Sequence, residues 1–369
     1  MAYFDNNATA PLKDTAYERM VNILKETGNA SAVHTNGRAM RKHIEDARAE
    51  VAVLIGCEPE DIIFTSGGTE SIVTAMSLFR GEPTVISSIE HSAVYANAPD
   101  APQIPVSADG VMDVAAAESI IKQHRPKMIS IIMASNETGV IQPVRAIADI
   151  AHAHDCLVHV DAVQSAGKIP IIWDEVGADY MSISAHKIGG PQGIGALIKA
   201  AGKPVPKLMT GGSQERRQRG GTENVAGIAG FGAAAIKTHK DMHHLEATRA
   251  MRDEIEAHIL STSNTVKIWG RGAARVPNTI MLTLAGVPSE TQVMIMDLCG
   301  VAVGSGAACS SGSMKPSRVL MAMGCPEEEA KCCMRVSLGW ANTAEDVAAF
   351  KTAWSDMISK LRHKMQSPC

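Results

Sequence analysis

The 369-residue sequence predicts an α/β protein: a mostly parallel sheet with helices on both faces, followed by a smaller α+β unit. Three observations lead there. Short apolar strand-like runs alternate with helix-periodic stretches through the first two-thirds of the chain. Some of those runs, such as Met128–Met133, are apolar but for one serine, as strands buried on both faces tend to be. Near residue 240 the alternation gives way to a long helical stretch and two isolated strand patterns.

In chain order, 15–25 and 37–55 place apolar residues at three- and four-residue spacing and read as helices. Residues 61–65 form a short strand that runs into Ser66-Gly-Gly-Thr-Glu70, and a helix follows to Phe79. Strands are expected at 84–87, 128–133, 156–160, 180–184 and 194–198, with a helix over 143–154. A polar–apolar helix over 224–260 reads as one bridge between domains. Strands at 280–284 and 334–338 and helices at 290–299, 316–323 and 344–365 complete the second unit. The expected division is an opening segment 1–12 packing with the small domain, a large domain 13–240, and a small domain 241–369 carrying a Gly/Ser loop at 304–313.

A net charge of −4 with scattered Lys and Arg gives no reason to expect nucleic acid or an anionic membrane as partner. The opening residues lack a basic start and an apolar run, and no stretch reaches the roughly 20 apolar residues that span a bilayer. A cytoplasmic location is expected. The eight cysteines are unevenly spaced and do not suggest a disulfide framework. His152, His154 and Cys156 straddle a helix–strand junction, which argues against a shared metal.

The chemistry centres on Ser184-Ala-His-Lys187, after an apolar strand and before a glycine-rich turn. A lysine amine there suits Schiff-base formation with a carbonyl cofactor, and Ser184 and His186 suit a phosphate. Asp161 ends another apolar strand, where open α/β sheets place ligands. It can pair with a pyridinium nitrogen or simply cap the next helix. Gln164 can donate to a ring hydroxyl. Gly68 and Thr69 stand at a helix start, either an anion cup or an ordinary capped turn. His91 can stack on a flat cofactor, move protons or be structural. Asn136 is an amide donor or a turn former. Cys309 lies among small, flexible residues, as a nucleophile or an incidental surface thiol. Arg335 in an apolar strand needs an anion: a substrate carboxylate gripped by two parallel hydrogen bonds, or an internal ion pair.

These residues together resemble the cysteine desulfurases of the NifS/IscS type, in the class V aminotransferase group of pyridoxal-phosphate enzymes. The resemblance runs from Tyr3–Thr9 to Arg335–Gly339 through 64–70, 136–143, 159–168, 184–191 and 219–224. It implies PLP-transferase fold type I, with a mainly parallel seven-stranded sheet in the large domain. Lys187 would carry pyridoxal 5'-phosphate, with Asp161 on the pyridine nitrogen, Gln164 on the ring oxygen and His91 against the ring. Gly68, Thr69, Ser184 and His186 would hold the phosphate, together with Thr222 donated across a homodimer interface. Asn136 would serve both cofactor and substrate, sharing the carboxylate of L-cysteine with Arg335. Lys187, His91 and Cys309 would be the catalytic groups, and Cys309 would accept the sulfur and serve as a transient iron–sulfur ligand. The implied activity converts L-cysteine to L-alanine and passes sulfane sulfur to an acceptor or iron–sulfur scaffold protein. Selenocysteine lyase and class V transaminase are the alternatives.

Overall fold

A computed structural model describes residues 1–306 and 316–366. Its strands are β1 (Ala2–Phe4), β2 (Ile62–Thr65), β3 (Thr84–Ser87), β4 (Gln103–Ile104), β5 (Met128–Ile132), β6 (Leu157–Asp161), β7 (Tyr180–Ser184), β8 (Gly195–Lys199), β9 (Val266–Trp269), β10 (Thr279–Leu284), β11 (Val301–Val303) and β12 (Cys333–Ser337). Seven of them form one sheet in the order β2-β8-β7-β6-β5-β3-β4. Only β8 is reversed, antiparallel to both β2 and β7, while β3 to β7 pair in parallel. The strands β5 and β7 are buried along their whole length, which explains their mainly apolar character, and the internal serines Ser130 and Ser182 each pair with the buried His159. Helices at Thr35–Ile55 and Val225–Lys240 pack together beside the sheet and share its largest core cluster, with Ile44, Val51, Phe64, Ile129 and Phe231 inside.

A second core lies around Ile280, Leu282, Met334, Val336, Phe350 and Trp354. It covers the antiparallel sheet β12-β10-β9 and the pair β1–β11. The opening segment therefore belongs to this second core, since Ala2–Phe4 run parallel to Val301–Val303.

The single bridging helix expected over 224–260 is in fact two. The helix Val225–Lys240 ends at Asp241, a 3-10 turn spans Met242–His244, and a new helix covers Leu245–Thr262. The reason lies in what each half buries. The first half is rich in Ala and Gly and nearly enclosed by the large sheet's core. The second directs Ile255 and Ile259 into the other core. Asp241 caps the break, its carboxylate accepting from Lys237 at 2.8 Å and lying 3.8 Å from Lys13. Among the described residues, no helix is long and apolar enough to cross a membrane.

Candidate active site

Loops at the carboxyl ends of the parallel strands surround a cavity of about 740 Å³. Gly68, Thr69, His91, Asn136, Asp161, Gln164, Ser184, His186, Lys187 and Arg335 all line it. Of the residues singled out in the sequence, Thr222 is exposed outside this cavity. Cys309 lies outside the described residues.

The strand ends explain the convergence. Because β2, β3, β5, β6 and β7 all run the same way, their carboxyl ends share one rim; Asp161 and Ser184 are the last residues of β6 and β7, and Gly68, His91 and Asn136 follow within a few residues of β2, β3 and β5. Asp161 is buried at the end of β6, and its Oδ1 accepts from Val163 N–H at 2.9 Å. Burial raises its pKa, while His91 and Lys187 pull it down. A buried carboxylate of this kind calls for a cation, and a protonated pyridine nitrogen is one. His91 Nδ1 accepts from Ala93 N–H at 3.2 Å, so the ring proton sits on Nε2 and the imidazole caps the helix Ser92–Asn97.

The helix Gly68–Ser77 begins at the same cavity, and its first N–H groups have no intrahelical acceptor. A side chain at Gly68 would strike Val163 at 2.8 Å, so glycine permits the close approach of helix and β6 loop. Ser184 and His186 stand beside this helix start, with His186 Nδ1 3.2 Å from Thr9 Oγ1. Burial, then Lys187 and Lys168, lower His186 to about 4, so it is neutral near pH 7. An anion cup and a buried carboxylate lining one cavity fit a pyridine ring carrying a phosphate.

Lys187 lines the same cavity. Its Nζ donates to the carbonyl oxygens of Asn7 at 2.6 Å and Ala8 at 2.7 Å. Burial, then Arg335, lowers its pKa to about 8, against the pull of Asp5 and Asp161. The amine is thus poised to lose its proton and act as a nucleophile far below the usual lysine range.

Arg335 forms the internal ion pair that is one of its two readings. Its Nη2 donates to Asp5 Oδ1 at 2.8 Å and its Nη1 to Asn136 O at 3.0 Å, while its buried Nε has no partner. The internal ion pair exists, and a donor remains for a second anion.

Several groups here were not singled out in the sequence. Asp5 and Asn7 come from the opening segment. Glu90 is 4% exposed; its Oε1 accepts from Ser87 Oγ at 2.5 Å and Ile132 N–H at 2.6 Å, and Oε2 has no partner. Burial raises its pKa well above the carboxylate range. Glu137 accepts from Ser317 Oγ at 2.5 Å, and burial raises it to about 7. Adjacency was the available signal: Glu90 precedes His91, and Glu137 follows Asn136.

The loop leading to Thr222 is fixed from beneath. Glu215, Arg216 and Arg217 adopt successive left-handed conformations, with φ of 45°, 54° and 67°. Glu215 is held by Arg48 through hydrogen bonds of 2.8 and 2.9 Å, and it also accepts from Phe64 N–H at 2.9 Å. Arg219 reaches Glu70 at 3.0 Å, which ties the same loop to the phosphate-end helix.

Comparison with known proteins agrees with this geometry. Residues 2–350 match the family model described as Aminotransferase class-V. A cysteine desulfurase of Cereibacter sphaeroides is 38% identical, the alignment covering 98% of this chain and 96% of the relative. The cysteine desulfurase IscS of Dictyoglomus turgidum is 39% identical, over 98% of this chain and 95% of its own length. The solved NifS-like protein from Rickettsia africae superposes with a TM-score of 0.90 at 34% identity, covering 97% of this chain and 99% of that one. With a lysine, a buried aspartate and an anion cup around one cavity, and with relatives matched along nearly the whole length, the chain belongs to the class-V aminotransferase family, with the cysteine desulfurases of the NifS/IscS type.

Proposed function

We propose that this protein is a cysteine desulfurase, which removes sulfur from L-cysteine to leave L-alanine and supplies that sulfur for iron–sulfur cluster assembly. The observation that carries the reading is that Lys187, Asp161 and the start of the helix Gly68–Ser77 line one cavity. Pyridoxal 5'-phosphate is the family's cofactor. When bound, it withdraws electrons from the substrate's α-carbon and so makes that carbon acidic.

The chain's own groups do the rest. Asp161 keeps the pyridine nitrogen protonated, and Gln164 donates to the ring oxygen. Gly68, Thr69, Ser184 and His186 hold the phosphate, joined by Thr222 of a second copy in a homodimer. Asn136 and the spare donors of Arg335 hold the substrate carboxylate. Lys187 tethers the cofactor through Nζ and, once released, takes the α-proton with the same atom. His91 Nε2 shuttles protons. Cys309 takes the sulfur as a persulfide and passes it to an acceptor protein in the cytoplasm, serving as a transient iron–sulfur ligand there. The chain works as two parts, a large cofactor-binding domain to about residue 240 and a small domain beyond it.

The test is to supply purified protein with L-cysteine and a reductant. Alanine and sulfide are expected in equal amounts, and both are lost in Lys187→Ala. Cys309→Ser should abolish sulfur transfer to an acceptor. Amino transfer to a keto acid, without sulfide, would overturn the reading in favour of a transaminase.

A further inference from the structure

Lys168 is a buried amine to which the chemistry above gives no task. It closes the 159–168 motif and is 8% exposed. The two acceptors of its Nζ are neutral amide oxygens, Asn7 Oδ1 at 2.8 Å and Gln164 Oε1 at 2.5 Å. Burial lowers its pKa well below the lysine range, and Lys187 and Arg335 push the same way. Keeping an amine here without an anion costs stability, so a charge that arrives with a ligand is the natural compensation.

The hydrogen bonds around Gln164 show how such a charge would be felt. Its Nε2 donates to Asn7 O at 2.9 Å, and a backbone carbonyl can only accept. Its Oε1 accepts from Lys168. These two contacts fix which way round the amide sits. They also leave one Nε2 hydrogen unspent on a residue that lines the catalytic cavity.

We propose that Lys168 is a positioning residue that locks Gln164 with its free amide hydrogen toward the cofactor's ring oxygen, and that its positive charge, relayed through Gln164, stabilises that oxygen as an anion. This rests on the reading that Gln164 meets the ring oxygen. The other charged and titratable groups lining the catalytic cavity are Lys187, Arg335, Arg318, Asp5, Asp161, Glu90, Glu137, His91, His186 and Tyr95. All are retained when Lys168 alone is changed.

The experiment is a pH titration of the cofactor's absorbance in the holoenzyme, comparing wild type with Lys168→Met and Lys168→Gln, alongside cofactor retention on dialysis. A cation near the ring oxygen favours loss of the proton shared between that oxygen and the Schiff-base nitrogen. Removing it should raise the absorbance midpoint by about one pH unit, a roughly tenfold change in acid constant. Lys168→Gln keeps a donor without charge, so it should show the raised midpoint yet retain cofactor better than Lys168→Met. If Lys168→Met does not fold, the midpoint of Lys168→Gln decides. A purely structural lysine would lower the melting temperature and leave the midpoint within about 0.2 unit of wild type, and that result overturns the proposal. Failure of the underlying reading looks different: wild-type protein reduced with borohydride would carry no cofactor on Lys187.

Discussion

Replacing Glu215 by alanine is the sharpest test of how this fold holds its left-handed turn. Arg48 and Glu215 have side chains 3% exposed and face each other through two parallel hydrogen bonds. Removing the carboxylate strands the guanidinium, whose remaining partners are Ile62 O at 2.7 Å and the half-exposed Glu45 at 3.1 Å. It also leaves Phe64 N–H in strand β2 without its acceptor, worth about 1–3 kcal/mol. Loss of one partner of a buried pair costs about 3–5 kcal/mol in total. At about 2 °C per kcal/mol for a large domain, melting should fall by about 6–10 °C. The reverse change, Arg48→Met, differs in kind. A stranded carboxyl group can neutralise itself by taking up a proton, whereas a guanidinium cannot shed one. The deficit of Arg48→Met should therefore shrink from pH 8 toward pH 5, and that of Glu215→Ala should not. The double change Arg48→Met with Glu215→Leu should recover all but about 1–3 kcal/mol, the part owed to Phe64 N–H. Scanning calorimetry of the four proteins at two pH values reads this directly. A Glu215→Ala protein that melts within about 2 °C of wild type would refute the reasoning.

Three other outcomes are expected. Arg217→Gly relieves a left-handed φ of 67° and should stabilise by about 1 kcal/mol, seen as a higher melting temperature. On the proposed role of Lys187, only its free amine captures cofactor, so the rate at which cofactor-free protein takes up pyridoxal phosphate should rise with pH and level off above about 8; a rate still climbing at pH 10 would contradict the lowered pKa. Glu137 is raised to about 7, so its neutral form is the one the fold favours: the stability it contributes is present below the ordinary carboxyl pKa and lost as pH rises through 7. Glu137→Gln should accordingly gain melting temperature over wild type between pH 5 and 8, and a constant difference across that range would count against it.

Much of this architecture was legible because the physics is local. The strands β3 and β7 fall on the expected residues, and the strand ends put Asp161, Ser184 and Lys187 where the apolar runs stop. What escaped was set by distant partners. The two-residue strand Gln103–Ile104 carries no periodicity, and it exists because the edge of β3 accepts it. The break at Asp241 is invisible in a continuous amphipathic pattern, because it reflects two cores rather than a helix stop signal. Asp5 and Asn7 gained their places from contacts with Arg335, Gln164 and Lys168, each more than 150 positions away. The ambiguity at Arg335 could not be resolved from one strand, since its ion-pair partner Asp5 lies 330 positions away.

The pairing of β1 with β11 also orders events during synthesis. The carbonyls of Asn7 and Ala8 that hold the Lys187 amine follow a strand whose partner emerges about 300 residues later, roughly 15–60 s at 5–20 residues per second. While the nascent chain is still on the ribosome, Ala2–Phe4 have no strand to pair with, and the large sheet can close without them. The surroundings of the Lys187 amine thus settle last, when β1 is finally sewn to β11.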